Sequence, residues 1–330
     1  MKFQIKTKRN RENWPSFDLV YEWENIFVSN LNISYCDNTK TEEFLNKVIG
    51  KIGINPLTYF SSNKNLFLLL EMTSRLRNSI HNRKNVIPLI IDFYISKSEI
   101  RNFYKAYLHC PFLLVSSFEA YCFLKENNFP KQIYHFPLSL SDKYKVTKQS
   151  RFDKNYDLVM FGRQNSVLTE FVKEYSEKHP DFIYVYRKLE NGIFNYYTST
   201  QQYLGNIDNR EEYLNLIQQS KVAFYSTPGI DGGEKRTKGF NQVTPRFLES
   251  IACGCHIIAR YKENPDTEFY ELEKFSISIN TYEEFEKAMD KALSSPVNME
   301  MYADYLGKHY TSKRAELLKK ILEKENIRID

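Results

Sequence analysis

The apolar positions of the chain alternate between short runs that suit buried strands and longer stretches with helical spacing. Phe3-Gln4-Ile5 opens with strand-like alternation. Phe17–Trp23 mixes β-formers with acids, and a second apolar stretch covers Ile26–Ile33. Phe44, Val48 and Ile52 recur at helical spacing, which predicts a helix over residues 41–51 with Thr41 as its N-cap. A strand is predicted over Leu57–Phe60, and a helix over Leu66–Ile80 that ends near His81. Val86–Phe93 is a continuous apolar run, too short for a long helix and bounded by polar residues, so it reads as a buried parallel strand. A helix capped by Ser98 runs to His109; strand Phe112–Ser116, helix Phe118–Asn127 and strand Ile133–Leu138 follow.

The second half repeats the alternation. Strands are predicted over Tyr156–Phe161, Phe182–Tyr186, Val222–Ser226 and His256–Arg260. Helices are predicted over Ser166–Lys178, Asn209–Ser220, Thr244–Cys253, Tyr282–Leu293 and Lys313–Glu325. Strands alternating with helices of this length mean βαβ units and parallel sheets, hence an α/β fold. The polar stretch Ser139–Asn155 interrupts both patterns. We therefore expect a first Rossmann-like domain over residues 1–148, a second over 149–312, and a C-terminal helix over 313–330 that returns to the first. In such sheets ligands bind outside the carboxyl ends of the strands, so the loops there are where chemistry is sought.

Composition narrows the class. With 330 residues, 42% hydrophobic and 26% charged, the chain can bury two cores and is too apolar to be disordered. Lys+Arg 46 against Asp+Glu 41 leaves +5, which suits an anionic small molecule or a membrane surface and excludes a dedicated nucleic-acid binder. No apolar run approaches the roughly 20 residues that cross a bilayer. The basic start (Lys2, Lys6, Lys8, Arg9, Arg11) precedes no apolar segment, so it is not a secretory leader; it is where a peripheral contact with anionic lipid would fall. The five cysteines include no CxxC pair, which argues against a disulfide framework or zinc site and for a reducing cytoplasm.

Three segments carry candidate chemistry. In the first, Gly162 and Arg163 follow a predicted strand and open a helix, where close backbone approach, free N–H groups and a guanidinium suit phosphate. The second is the Gly-rich basic loop from Ser226 and Thr227 through Lys238 to Asn241, again after a strand. The third is Val243–Ala259, with Thr244 as cap, Pro245 at the first helical position, and Arg246 and Glu249 three apart on one helix face. There Arg246 can neutralise a diphosphate and Glu249 can accept hydrogen bonds from ribose hydroxyls, or the two can form a structural ion pair.

The run Arg246-Phe247-Leu248-Glu249-Ser250-Ile251-Ala252-Cys253-Gly254-Cys255 resembles the donor-site signature R-x-x-E-x-x-A-x-G-x of GT-B-fold glycosyltransferases. His309-Tyr310-Thr311-Ser312-Lys313-Arg314-Ala315 is similar to a stretch near the end of the group 1, spore-coat-type bacterial glycosyltransferases. The resemblance covers about residues 155–320 and implies a GT-B architecture, two Rossmann-like domains facing an interdomain cleft. It implies sugar transfer from a nucleotide-sugar donor to a glycan or lipid-linked acceptor, in bacterial surface polysaccharide synthesis. It also implies a site in the cytoplasm or peripheral at the inner face of the membrane, with donor contacts from Gly162, Arg163, Ser226, Thr227, Lys238, Thr244, Arg246 and Glu249. Asn241 or Gln242 stands where many retaining members carry a second Glu, which tilts the reading towards inversion. No Asp-x-Asp occurs, so we expect no cofactor and no metal, with cations at the leaving diphosphate instead. An inverting transfer needs a base beside the acceptor hydroxyl. Asp92 and Glu22 are the candidates, with Glu24 and Asp18 further ones. Two alternatives stay open: a nucleotide-sugar epimerase on the same fold, and a non-catalytic or regulatory nucleotide-binding protein on a GT-B scaffold.

Overall fold

The computed structural model describes residues 2–10, 15–37, 39–60, 65–162, 164–207 and 209–328. The chain divides into two compact units. The first comprises Met1–Asp142, Lys235–Phe240 and Thr311–Asp330; the second comprises Lys143–Glu234 and Asn241–Tyr310.

The first unit runs β1 (Lys2–Thr7), α1 (Pro15–Leu31), β2 (Ser34–Asp37), α2 (Lys40–Ile52), β3 (Asn65–Thr73), β4 (Val86–Asp92), α3 (Ile100–Tyr107), β5 (Leu113–Val115), α4 (Phe118–Glu126) and β6 (Ile133–His135). Its six strands form one sheet in the order β2-β1-β3-β4-β5-β6, every pair parallel. The second unit follows with β7 (Tyr156–Val159), α5 (Ser166–Lys178), β8 (Tyr184–Glu190), β9 (Ile193–Thr198), β10 (Tyr203–Asn206), α6 (Arg210–Gln218), β11 (Ser220–Ser226), α7 (Arg246–Ala252), β12 (His256–Arg260), α8 (Pro265–Phe269), α9 (Tyr282–Ser294) and α10 (Met299–Gly307). Helix α11 (Thr311–Lys324) closes the chain and counts with the first unit. The second sheet has the order β10-β9-β8-β7-β11-β12, parallel from β8 to β12 and antiparallel at the β8–β9–β10 meander.

Three readings of the sequence are corrected. Residues 65–73 form a strand, not the start of a helix. β3 lies between β1 and β4, and Leu66–Leu70 are buried, so a continuous apolar run suits its covered faces. Leu57–Phe60 lies in a 3₁₀ turn (Pro56–Phe60) rather than a strand. The α2 cap is Thr39, not Thr41: its hydroxyl accepts from Glu42 N–H while the Glu42 carboxylate accepts from Thr39 N–H. The stretch from Phe17 to Ile33 resolves mainly into one helix, which buries Val20, Trp23, Phe27 and Leu31 along one face.

Two of the five basic residues at the start, Lys6 and Arg9, are used inside the fold. Lys6 is buried in β1 with Nζ 2.5 Å from Glu42 Oε1, and Arg9 Nε donates to Glu24 Oε2 at 3.1 Å. Both of these cations are paired with internal carboxylates; Lys2 is exposed, Lys8 is half-buried, and Arg11 lies outside the described residues. Among the described residues no helix is long and apolar enough to cross a membrane.

Helix α11 packs on α1 and is pinned at its first turn. Thr311 N–H donates to Leu140 O at 2.9 Å, and Ser312 N–H to Asp142 Oδ2 at 2.9 Å. The buried Arg314 donates from Nε to Pro137 O (2.8 Å) and from Nη2 to Leu138 O (3.0 Å). Thr311 and Arg314 of the C-terminal motif are thus the clamp that ties this helix to residues 137–142.

Arg314→Ala should lower the stability of the first unit by roughly 1.5–3 kcal/mol, because two carbonyls lose a charged donor; urea unfolding followed by Trp23 fluorescence checks it. His135 gives a pH signature. Burial pushes its imidazole from 6.5 down to about 4, against the opposing bond from its Nε2–H to Ser116 O. The unfolded chain therefore binds the proton first, and stability should fall as pH drops from about 6.5 to about 4. His135→Gln should flatten that limb of a melting-temperature profile.

Candidate functional site

The carboxyl edge of the second sheet gathers most of the residues picked out from the sequence. Just after β7, Gly162 has φ +63°, a left-handed conformation that favours glycine. A Cβ there would lie 2.7 Å from Arg246 Cδ and 2.8 Å from Arg246 Nη1. The Arg246 guanidinium, at the start of α7, is therefore laid over the Gly162 backbone, and the missing side chain makes room for it. Arg187, on β8, is a second cation within electrostatic reach. Burial and the nearby Arg246 both push the Arg187 guanidinium below its usual range, while its face packs 3.9 Å from the Phe194 ring.

Glu249 is buried in α7, and its Oε1 accepts from Arg210 Nη1 at 2.6 Å. Arg210 is the one hydrogen-bond partner of this carboxylate among the described residues. Arg210 opens α6, whose cap Asn209 accepts from Glu212 N–H. The carboxylate is thus pinned by an arginine from another helix, a partner that spacing within Val243–Ala259 does not disclose. Tyr213 stands beside the pair, its phenol pushed well up by burial and then by the Glu249 charge.

Ser226 ends β11 buried, and Thr227 Oγ1 donates to Asn241 Oδ1 at 3.0 Å. Asn241, one of the two positions where the family pattern would place a second Glu, ties the two ends of the loop together. Thr244 N–H donates to the buried Tyr225 hydroxyl at 3.0 Å, but its own side chain does not cap α7. Helix α7 begins one residue later than expected, with Pro245 at the cap position.

Asp231, which sequence reasoning missed, joins three strand ends. It accepts a fork from Arg260 (Nε 2.7 Å, Nη2 2.8 Å) and a bond from Asn165 Nδ2 at 2.8 Å. Asn165 in turn caps α5 through Leu168 N–H. The guanidinium of Arg260 holds the Asp231 carboxyl below its ordinary range. The only cue in the sequence is a cation closing the predicted strand His256–Arg260.

Lys238 is not brought to this edge. Its Nζ pairs with Glu99 in the first unit, and this contact, with Ser96, holds the Glu99 carboxyl down at about 2. Phe240 from the same segment packs edge-on to Phe93 and Phe123, with centroids 5.5 and 5.2 Å apart. Arg163 lies outside the described residues. Asp92 closes β4 half-buried at the carboxyl edge of the first sheet. Glu22 lies mid-way along α1, and its neighbour Glu24 is occupied by Thr7 and Arg9 and raised by burial.

Residues 157–320 match the model of a family described as glycosyl transferase-like. No curated protein matches the chain. Among solved structures it is similar to the pneumococcal O-GlcNAc transferase GtfA in complex with UDP and GlcNAc, at 11% identity and a TM-score of 0.52; the alignment covers 87% of this chain and 60% of that one. It is also similar to a putative UDP-N-acetylglucosamine 2-epimerase from Listeria monocytogenes, at 12% identity and a TM-score of 0.51, covering 98% and 96%. The chain thus spans about 60% of the length of the transferase it resembles. At these identities the likeness is one of fold, and the fold is GT-B.

Gly162→Ala should cost about 1–2 kcal/mol from its left-handed backbone and also displace the Arg246 guanidinium. Gly254→Ala, at φ +61° and against Phe152 instead, should lower the melting temperature comparably. Pyrophosphate titration of both variants separates the two effects: only the Gly162 change should weaken binding.

Proposed function

Starting from a chain whose residues 157–320 match the model of a family described as glycosyl transferase-like, we propose that it moves a sugar from a nucleotide-sugar donor to a glycan or lipid-linked acceptor. The observation that carries the donor site is the Arg246 guanidinium held over Gly162 with Arg187 in its field. Arg246 disfavours the charged form of Arg187, and a diphosphate bound beside both would offset that repulsion. In this reading Arg246 binds the diphosphate, and Glu249, oriented by Arg210, accepts from hydroxyls of the ribose or the sugar. Ser226, Thr227 and Thr244 line the same edge. The positive side chains neutralise the leaving diphosphate, in a transfer that uses no metal and no cofactor. The acceptor oxygen attacks the anomeric carbon, the bond from that carbon to the diphosphate breaks, and the acceptor proton passes to a carboxylate. Asp92, at a strand end of the first unit, is the favoured base, with Glu22 the second choice. Surface polysaccharide assembly on the cytoplasmic side of a bacterial membrane is the setting this reading implies.

Titration with UDP, GDP and CMP tests it, with thermal shift as a second readout. A nucleotide present at 100 times its Kd should stabilise the fold by about 2.7 kcal/mol. Arg246→Ala should weaken binding ten- to a hundredfold, the equivalent of roughly 1.5–3 kcal/mol, with little change in melting temperature. Glu249→Ala should differ, because it removes the carboxylate that pairs with the buried Arg210: a loss of about 3–5 kcal/mol in stability, together with weaker nucleotide binding. No nucleotide binding, or equal binding by the parent and Arg246→Ala, would sink the donor site. Epimerisation of a UDP-sugar without any acceptor would replace transfer by the epimerase reading.

A further inference from the structure

The first unit holds a cavity of about 840 Å³ at the carboxyl edge of its sheet. Lys8, just past β1, and Met72–Arg77, at and beyond the end of β3, line one side; Asn46, Lys47 and Gly50 of α2 line the other. Four cations (Lys8, Lys47, Arg75, Arg77) face two carboxylates, Glu43 and Glu71. Glu71 is already engaged: it accepts from the Tyr107 hydroxyl at 2.8 Å and lies 2.9 Å from Arg75 Nε.

The donors left over in this cavity all call for an acceptor. Arg75 stacks on the Tyr107 ring at 4.4 Å, and its Nη1 and Nη2 are buried without a hydrogen-bond partner. His81 contributes a third such donor. Asn46 Oδ1 accepts from Ile80 N–H at 2.7 Å, which fixes the amide so that its Nδ2 donates to His81 Nε2 at 3.4 Å. His81 Nε2 is therefore the bare nitrogen, and the proton sits on Nδ1, which is buried and unpartnered. Burial and the surrounding cations Arg75, Lys6, Arg83 and Lys8 keep this imidazole neutral, so the tautomer is fixed as well as the charge. Buried N–H groups of this kind are costly unless an acceptor meets them. A second cavity of about 590 Å³ shares Leu76, Arg77 and Asn78 and adds Lys51 and Lys105, extending the basic surface.

We infer that this cavity is an oxyanion site that holds a phosphate-type group of the acceptor, with Arg75, Arg77 and His81 as its donors. It rests on the transferase reading only for the word acceptor; the anion site is a property of the first unit itself.

Pyrophosphate titration of the full chain tests it, in an Arg246→Ala background so that the donor edge does not contribute. Binding should persist there and weaken about tenfold or more on adding Arg75→Gln, the loss expected for a charge-assisted bond. The exposed Arg77→Gln should act in the same direction without touching the core. UDP binding should be unmoved when either Gln variant is made in the otherwise unchanged chain. No pyrophosphate binding in the Arg246→Ala background, or binding indifferent to both Gln changes, overturns the inference. If UDP binds nowhere yet the Arg75-dependent binding remains, the transferase reading fails and this site stands. Phosphatidylglycerol and phosphatidylcholine vesicles identify the source. Co-sedimentation selective for the anionic lipid and lost in Arg77→Gln supports the site with a lipid-borne phosphate. Co-sedimentation indifferent to Arg77→Gln, with pyrophosphate binding lost, supports it with a soluble one.

Discussion

A guanidinium occupies the space that a side chain would need at Gly162, and the candidate donor site is built outward from that contact. Packing an arginine onto bare backbone fixes the position of its charge more tightly than a solvent-facing arginine would allow. It also sets the spacing between the end of β7 and the start of α7, two elements that are not neighbours in sequence. Any residue other than glycine would have to shift the arginine, the turn or both. Position 162 is thus constrained by geometry before any ligand is considered.

Around that contact, ion pairs act as struts. Arg210 holds Glu249 from a neighbouring helix, and Asp231 links the cap of α5 to the last residue of β12. The first strut ties two helices and is buried, whereas the second ties an exposed loop to a sheet end and a helix cap. A buried pair such as Arg210–Glu249 contributes little to net stability against an apolar substitute, but removing one partner is expensive. Both struts suit an edge whose charges must stay in place whether or not a ligand is bound.

Much of the architecture was legible in the sequence because parallel sheets with both faces covered write themselves as apolar runs. Helix α5 begins and ends where Ser166 and Lys178 suggested, and β4, Val86–Asp92, is the buried strand read from Val86–Phe93. β3 was misread because its apolar run continues into residues spaced plausibly for a helix, and only its neighbours β1 and β4 decide the matter. The β8–β9 hairpin had a local signal that went unused: Asn191-Gly192, both at positive φ, is a tight-turn pair between two strands. The spacing of Arg246 and Glu249 marked the right helix but not the partner of the carboxylate, since Arg210 is 39 residues away. Arg75 and His81 carried no pattern at all; their meaning comes from which donors the fold leaves unpaired.

The clamp at Thr311 and Arg314 has a consequence for the order in which the molecule is made. Helix α11 is a structural part of the first unit, packed on α1 and tied to residues 137–142, yet it is synthesised after the whole second unit. While the ribosome is still at work, the first unit is an incomplete sheet-and-helix layer with the apolar face of α1 lacking its cover. The second unit, whose segments lie between Lys143 and Tyr310, can finish its core sooner. The early-made half therefore matures late, and for that interval α1 is the surface on which a nascent chain would be most prone to stray association.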